Sequence, residues 1–254
     1  MAETTPLHTT EEGAGRPLAL VHGFTQTLSS WGSLAENLAV DHRVICVDAP
    51  GHGGSAAVRA DLWEGGRLLG RTAGRASYVG YSMGGRLCLH LALAEPSLVD
   101  KLVLIGATAG IDDPAERALR READEALARQ LEAEGLETFL RRWLAQSLFA
   151  GLAPDAAAIE ARRQNTVAGL AGSLRSAGTG AQDPLWDRLH ELAMPVLVVA
   201  GERDDKFRAL GERLVTSIGP NAHLAVVPNA GHAAHLEAPE HFLTLFREFL
   251  AGPG

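Results

Sequence analysis

Gly80-Tyr81-Ser82-Met83-Gly84 stands between an apolar β-type run, Ala76-Ser77-Tyr78-Val79, and a helix-patterned run from Gly85 to Ala94. A G-x-S-x-G pentapeptide that ends a strand and opens a helix is a nucleophile elbow, a turn so tight that small residues must flank the serine. The turn lifts the serine hydroxyl to the top of a parallel sheet and aims the next backbone N–H into the same space. A chain built around it needs further strands beside the serine strand and a site above Ser82.

A serine hydroxyl becomes a useful nucleophile or base when an imidazole takes its proton and a carboxylate orients that imidazole. Pro195-Val196-Leu197-Val198-Val199-Ala200-Gly201 is a buried-strand run, and Glu202-Arg203-Asp204-Asp205-Lys206 follows it directly. His223-Leu224-Ala225-Val226-Val227-Pro228 reads as another strand, followed by Asn229-Ala230-Gly231-His232. Ser82, Asp204 and His232 thus fall at three strand ends, in the chain order that α/β-hydrolases use. Asp205 is the alternative acid, and His235 is the competing imidazole, one turn into a helix start. An oxyanion hole needs a second donor from an early strand's loop. Leu18-Ala19-Leu20-Val21 is such a strand, and His22-Gly23-Phe24-Thr25 follows, so the expected donors are the Phe24 and Met83 N–H groups. His22 reads as a loop-orienting residue. Asp48 and His52, in the glycine-rich turn after Val44-Ile45-Cys46-Val47, read as structural. No lysine completes a phosphate-loop pattern there.

Residues 17–21, 44–48, 76–81, 102–106, 195–200 and 223–227 are short Val/Leu/Ile-rich runs with little alternation, as strands buried on both faces require. Helical segments, such as 29–40, 83–95 and 239–251, fall between or after them. This alternation predicts the α/β class: an α/β-hydrolase fold with a doubly wound, mostly parallel sheet. Only about 16 residues precede the first clear strand, so the edge strands are abbreviated. Residues 111–184 hold no strand-like run and predict a helical cap inserted after the sixth strand of the fold, between core segments 1–110 and 185–254. Segment 61–75 is unusually rich in glycine for the helix before an elbow strand, and Trp186 and Gln182 past the cap carry no readable role.

With 254 residues and 46% apolar content, the chain can bury one sizeable core plus an insertion. Residues 1–16 lack the apolar centre of a signal peptide, and no apolar run approaches a membrane span, so a soluble cytoplasmic protein is expected. A formal charge of −8 argues against nucleic-acid partners. Cys46 and Cys88 read as small core residues, with no disulfide framework or metal-ligand spacing, and no cofactor is called for. Monomer and homo-oligomer both remain open.

Arg86 lies four residues past Ser82, one turn along the same helix face. The cap adds Arg117, Arg120, Arg121, Arg141, Arg142, Arg162 and Arg163, most of them solvated, with Glu116, Glu122 and Asp124 as helix-spaced partners. Two or three arginines turned inward would make the pocket of an acidic protein locally cationic and favour a polycarboxylate over a neutral ester. An aspartate in place of Ser82 would have suggested haloalkane dehalogenases or epoxide hydrolases, so these are disfavoured.

The chain resembles the 2-succinyl-6-hydroxy-2,4-cyclohexadiene-1-carboxylate synthase (MenH) family of menaquinone biosynthesis. The resemblance rests on Gly80-Tyr81-Ser82-Met83-Gly84-Gly85-Arg86, Gly201-Glu202-Arg203-Asp204-Asp205-Lys206-Phe207 and Ala230-Gly231-His232-Ala233-Ala234-His235, and runs from about Leu18 to Leu250. It implies that Arg86, Arg120 and Arg163 hold substrate carboxylates, with Arg117 and Arg121 as alternative registers for Arg120. Trp143, ahead of Phe149-Ala150-Gly151-Leu152, would contact ligand or anchor the cap, and Tyr81 would line the pocket. It further implies a lyase in which Ser82, backed by His232 and Asp204, removes a proton so that pyruvate is eliminated. The alternative is a serine carboxylesterase or C–C bond hydrolase acting through an acyl-enzyme, and a catalytically silent receptor is a third reading.

Overall fold

Strands without alternation must bury both faces, and the two faces here are covered by different helices. The computed structural model describes residues 6–152 and 156–252, with backbone alone for 156–158. Its strands are β1 (Thr9–Glu12), β2 (Arg16–Val21), β3 (His42–Val47), β4 (Ala76–Tyr81), β5 (Val99–Ile105), β6 (Val196–Gly201) and β7 (Ala222–Val227). They form one sheet in the order β1-β3-β2-β4-β5-β6-β7, parallel throughout except for β1, which runs antiparallel to β3. The elbow strand β4 is central, with Val79 opposite both Leu20 and Val103.

The helices are α1 (Gly32–Leu38), α2 (Leu62–Ala73), α3 (Met83–Ala94), α4 (Pro114–Glu134), α5 (Leu136–Leu144), α6 (Ala156–Arg162), α7 (Val167–Ala177), α8 (Asp205–Ile218), α9 (Ala234–Glu237) and α10 (Pro239–Ala251). On one face Ala19, Val21, Tyr78, Leu102 and Leu104 pack against Leu68 and Leu69 of α2, Leu87 and Leu91 of α3, and Leu214 of α8. On the other, Leu18, Leu20, Val79, Val103 and Ile105 share a core with Leu34 and Leu38 of α1 and with Phe242, Phe246 and Leu250 of α10. Successive strand residues point to opposite faces, so an unbroken apolar run supplies both cores.

One short strand is added to those that the apolar runs mark, the abbreviated edge expected before the first clear strand. The polar segment Thr9–Glu12 forms an edge strand, because its backbone pairs with β3 while its side chains stay largely exposed. The helical insertion follows the fifth described strand along the chain, which is the sixth strand of the fold once its edge strands before Arg16 are abbreviated to one, as expected. Residues 1–5 and 253–254 of the core segments, and 153–155 of the insertion, lie outside the described residues.

The glycines of α2 are explained by proximity. A Cβ at Gly66 would lie 2.8 Å from the Leu91 nitrogen, and one at Gly70 would lie 2.7 Å from the Leu91 side chain. Their absence lets α2 approach α3 more closely than side chains would permit, which offsets their lower helix propensity. Between β5 and β6 the described elements are helical, and Ala128, Leu131, Phe139, Leu170 and Leu174 form a separate small core there. Trp186 and Gln182 tie the two ends of this insertion together. Trp186 Nε1 donates to Gly110 O at 3.0 Å, and Gln182 Nε2 donates to Thr108 O at 3.2 Å. Arg213 of α8 stacks 3.7 Å over the Trp186 ring and pairs with Asp112 at 2.6 Å.

The elbow depends on a close crossing: a Cβ at Gly84 would overlap the Val21 carbonyl of β2, and one at Gly80 would overlap the Gly84 backbone. Gly84→Ala should therefore destabilise the fold by about 3 kcal/mol, since backbone cannot yield as a side chain can. Urea unfolding of the variant beside wild type measures this, and an unchanged midpoint contradicts it.

Candidate active site

Ser82 is held in the left-handed half of backbone space, at φ 51° and ψ −107°. Such a conformation costs a non-glycine residue about 1–3 kcal/mol and persists where the surroundings over-determine it. Here Ser82 N–H donates to Ile105 O at 2.8 Å, and its own carbonyl accepts from Arg86 N–H at 3.1 Å, so the residue is pinned from β5 and from α3.

The three expected strand-end residues meet. His232 Nδ1 lies 2.8 Å from Asp204 Oδ2, and His232 Nε2 lies 3.3 Å from Ser82 Oγ. With the carboxylate accepting at Nδ1, Nε2 is left to accept the serine proton. The other Asp204 oxygen accepts from Phe207 N–H at 3.2 Å and caps α8, which fixes the carboxylate. Asp205 is 94% exposed and pairs with Arg208, which excludes it as the histidine's partner. His235 is buried among Trp31, Tyr81 and Phe242 and does not reach the serine. Glu237 brackets the histidine loop: its two oxygens accept from Gly231 N–H at 2.7 Å and Ala233 N–H at 3.1 Å.

The Phe24 loop is equally constrained. His22 donates through Nδ1 to Gly23 O at 2.8 Å and accepts at Nε2 from Ala49 N–H at 3.1 Å. His52 Nδ1 donates to Pro50 O at 3.0 Å, and Nε2 accepts from Thr25 N–H at 3.4 Å. Asp48 accepts from Leu28 N–H and Gly54 N–H, each at 2.8 Å, and pairs with His8 at 2.9 Å. These are the orienting roles that the sequence suggests for His22, His52 and Asp48. Asn165 is an addition. From the insertion it donates to Thr25 O at 2.7 Å and accepts from Gly53 N–H at 3.0 Å, joining both turns. Among the described residues, neither Phe24 N–H nor Met83 N–H donates to a backbone carbonyl in a turn, loop or cap.

A cavity between sheet and insertion contains Ser82, His232, Phe24 and Met83 together with Tyr81, Arg86, Arg120, Trp143 and Arg162. Arg86 is buried and donates to Ala177 O at 2.7 Å, and burial, then the charge of Arg120, pushes it down to about 10. Arg120 is the member of its trio that faces the cavity: Arg117 donates to Ile111 O, and Arg121 donates to Gly180 O. Arg163 does not reach the cavity. It lies on the surface, ion-paired with Glu137 at 2.8 Å and also with Glu160, while its neighbour Arg162 is buried against Thr25 Oγ1 at 3.3 Å. Adjacent helical residues point about 100° apart, and the glutamates on α5 and α6 draw Arg163 to the outside. Trp143 lies edge-on to Phe24 at 5.1 Å and stacks on Phe139 at 5.9 Å, so it anchors the insertion and lines the cavity at once. Its Nε1 is buried without a protein acceptor among the described residues. No group of three or more His, Cys, Asp or Glu among them is arranged to hold a metal ion.

A family model of the alpha/beta hydrolase fold matches residues 16–239. The chain belongs to the α/β-hydrolase family. A Bacillus subtilis (strain 168) protein provisionally named 2-succinyl-6-hydroxy-2,4-cyclohexadiene-1-carboxylate synthase is 36% identical over 93% of this chain and 91% of its own length. The Serratia proteamaculans (strain 568) protein of that name is 33% identical, covering 95% of this chain and 96% of its own. MenH from S. aureus superposes with a TM-score of 0.87 at 29% identity, covering 97% of this chain and 98% of its own. The resemblance expected from the elbow, acid-turn and histidine-loop motifs therefore extends over nearly the whole chain. This is an enzyme of the α/β-hydrolase fold, and among its described residues no helix is long and apolar enough to cross a membrane.

Four of the enzyme's imidazoles are kept neutral by burial: His22 and His90 are pushed down to about 4, and His52 and His235 to about 3, from an ordinary 6.5. Above pH 6.5 they are neutral whether the chain is folded or not, so the fold incurs no proton penalty. As pH falls from 6.5 towards 4 the unfolded chain gains protons that the folded chain refuses, and stability drops by roughly 1 kcal/mol per pH unit for each histidine. The urea midpoint should fall steadily between pH 7 and 5. A flat midpoint over that range would mean that the buried rings protonate in place.

Proposed function

We propose that this enzyme eliminates pyruvate from 2-succinyl-5-enolpyruvyl-6-hydroxy-3-cyclohexene-1-carboxylate, as a lyase of menaquinone biosynthesis. One observation carries the reading: Arg86, Arg120 and Arg162 line the same cavity as Ser82 and His232. A neutral ester gives three buried or half-buried cations nothing to bind. A substrate with three carboxylates does, and each charge-assisted bond to a carboxylate contributes about 1.5–3 kcal/mol. The relatives' printed name, 2-succinyl-6-hydroxy-2,4-cyclohexadiene-1-carboxylate synthase, supports the same choice.

The chemistry follows from comparing substrate with product. The ring gains a second double bond, losing a proton from C2 and the enolpyruvyl oxygen from C5. Ser82 Oγ takes the C2 proton as its own passes to His232 Nε2, and Asp204 stabilises the imidazolium. The electron pair moves through the ring, the C5–O bond breaks, and pyruvate leaves as its enolate and is then protonated. Phe24 N–H and Met83 N–H are the donors for the oxygen on which charge develops. Ser82 is not acylated in this scheme. Tyr81 and Trp143 shape the cavity wall, and the helical insertion, residues 111–184, acts as the cap that brings Arg120, Trp143 and Arg162 over the serine. The cytoplasmic setting expected from composition goes with this reading.

Pyruvate release from freshly generated substrate, with a short-chain p-nitrophenyl ester in parallel, tests it. Ser82→Ala should lower kcat by roughly 10³-fold while leaving KM near wild type. Brisk ester cleavage without pyruvate release above background would leave an esterase that acts through an acyl-enzyme.

Arg120→Ala and Arg162→Ala should each raise KM about tenfold or more with smaller changes in kcat, and Arg163→Ala should change neither. Equal effects from all three arginines would overturn the assignment of Arg162 over Arg163.

A further inference from the structure

Asp124 is out of place in a site built for anions. Among the described residues lining the cavity it is the one carboxylate, and its side chain is 3% exposed. A buried negative charge beside the substrate opposes carboxylate binding unless it does something the arginines cannot do alone.

Its two oxygens have different partners. Oδ1 accepts from Arg120 Nε at 2.8 Å, one turn back on α4, and Oδ2 accepts from Gly180 N–H at 2.9 Å. Gly178 closes on the same carboxylate: a Cβ there would lie 2.6 Å from Oδ2. The preceding residue, Ala177, offers the carbonyl to which Arg86 Nη1 donates at 2.7 Å. One short turn after α7 thus ties together Asp124, Arg120 and Arg86. The two guanidinium groups repel each other, and Asp124 acts in the opposite sense on Arg86. An exposed i,i+4 ion pair would do little, but here the carboxylate end is buried and shared with the wall of the cavity.

We propose that Asp124 is a positioning residue that sets the cavity's preference for a dicarboxylate, by gripping the Nε edge of Arg120 so that its two terminal nitrogens present a fork to a carboxylate. The inference rests on the polycarboxylate reading of the site and names what lets two cations serve it side by side. Those terminal nitrogens have no acceptor among the described residues. A guanidinium fork matches a carboxylate in two parallel bonds only when its plane is held. Without Asp124, the half-exposed Arg120 side chain turns to solvent, away from Arg86.

Calorimetric binding of succinate and of butyrate, two four-carbon acids with two carboxylates and one, tests this without requiring turnover. Wild type should prefer succinate. Asp124→Asn keeps the volume and an acceptor for Gly180 N–H but presents an amide to Arg120. Succinate should bind about tenfold more weakly, with butyrate within twofold and pyruvate release showing a raised KM at nearly unchanged kcat. Arg120→Lys, which keeps the charge but not the fork, should lose the same preference and guards against an unfolded Asp124→Asn protein. On an Arg120→Ala background, Asp124→Asn should have no further effect on succinate. If wild type shows no preference for succinate, the polycarboxylate reading and this role fall together. If wild type prefers succinate and either Asp124→Asn or Arg120→Lys retains that preference, the role of Asp124 alone is overturned.

Discussion

The backbone of Gly84 crosses the end of β2 with no room for a side chain between them. That approach sets the depth at which α3 starts, and with it the position of Ser82 between Ile105 and Arg86. It also fixes which loops face the serine. The carbonyl crowded by Gly84 belongs to Val21, immediately before the His22-Gly23-Phe24 turn, so that turn stands beside the start of α3 for reasons of packing. The strained backbone at Ser82 is affordable because strands on both sides and the helix behind it hold the turn from three directions.

Around this crossing, polar groups rather than apolar contacts decide alignment. The loops that carry Phe24, Asp204 and His232 are each held by a side-chain acceptor or donor. Glu237 holds the backbone on both sides of His232, Asp204 both caps α8 and faces His232, and Asn165 joins the insertion to the Phe24 turn. Low dielectric makes such bonds worth keeping and costly to leave half made. The same logic extends to the cations, where Arg86 is tied to Ala177 and Arg120 to Asp124 at one turn of the insertion. Outside the cavity the insertion's arginines have partners of their own: Arg129, Arg141, Arg142, Arg163 and Arg175 pair with glutamates, and Arg117 and Arg121 donate to backbone carbonyls.

Much of this was legible because it follows from short-range rules. The central strands read as apolar runs buried on both faces, and the elbow's small residues marked the strand-to-helix turn with Ser82 at its tip. The order of Ser82, Asp204 and His232 followed from three strand ends. What stayed hidden had no local signal. Thr9–Glu12 is polar and exposed, and it is a strand only because β3 offers an unpaired edge. The α2 glycines look unfavourable until α3 is set against them.

The chain's own pattern therefore determined the class of fold, the elbow with Ser82 at its tip and the two strand-end loops that carry the acid and histidine candidates, since each depends on residues a few positions apart. Contacts across the fold separated Asp204 from Asp205 and His232 from His235. Tertiary structure alone decided which cation faces inward. Arg162 and Arg163 are neighbours of the same type, and the placement of Glu137 and Glu160 outside, and of Thr25 within, distinguishes them. It alone also buried Asp124, which in sequence is an ordinary helix partner of Arg120, because the turn at Gly178–Gly180 folds over it from more than fifty residues away. Helix periodicity gives direction relative to an axis, but not what lies in that direction; that is supplied by contacts between distant parts of the chain.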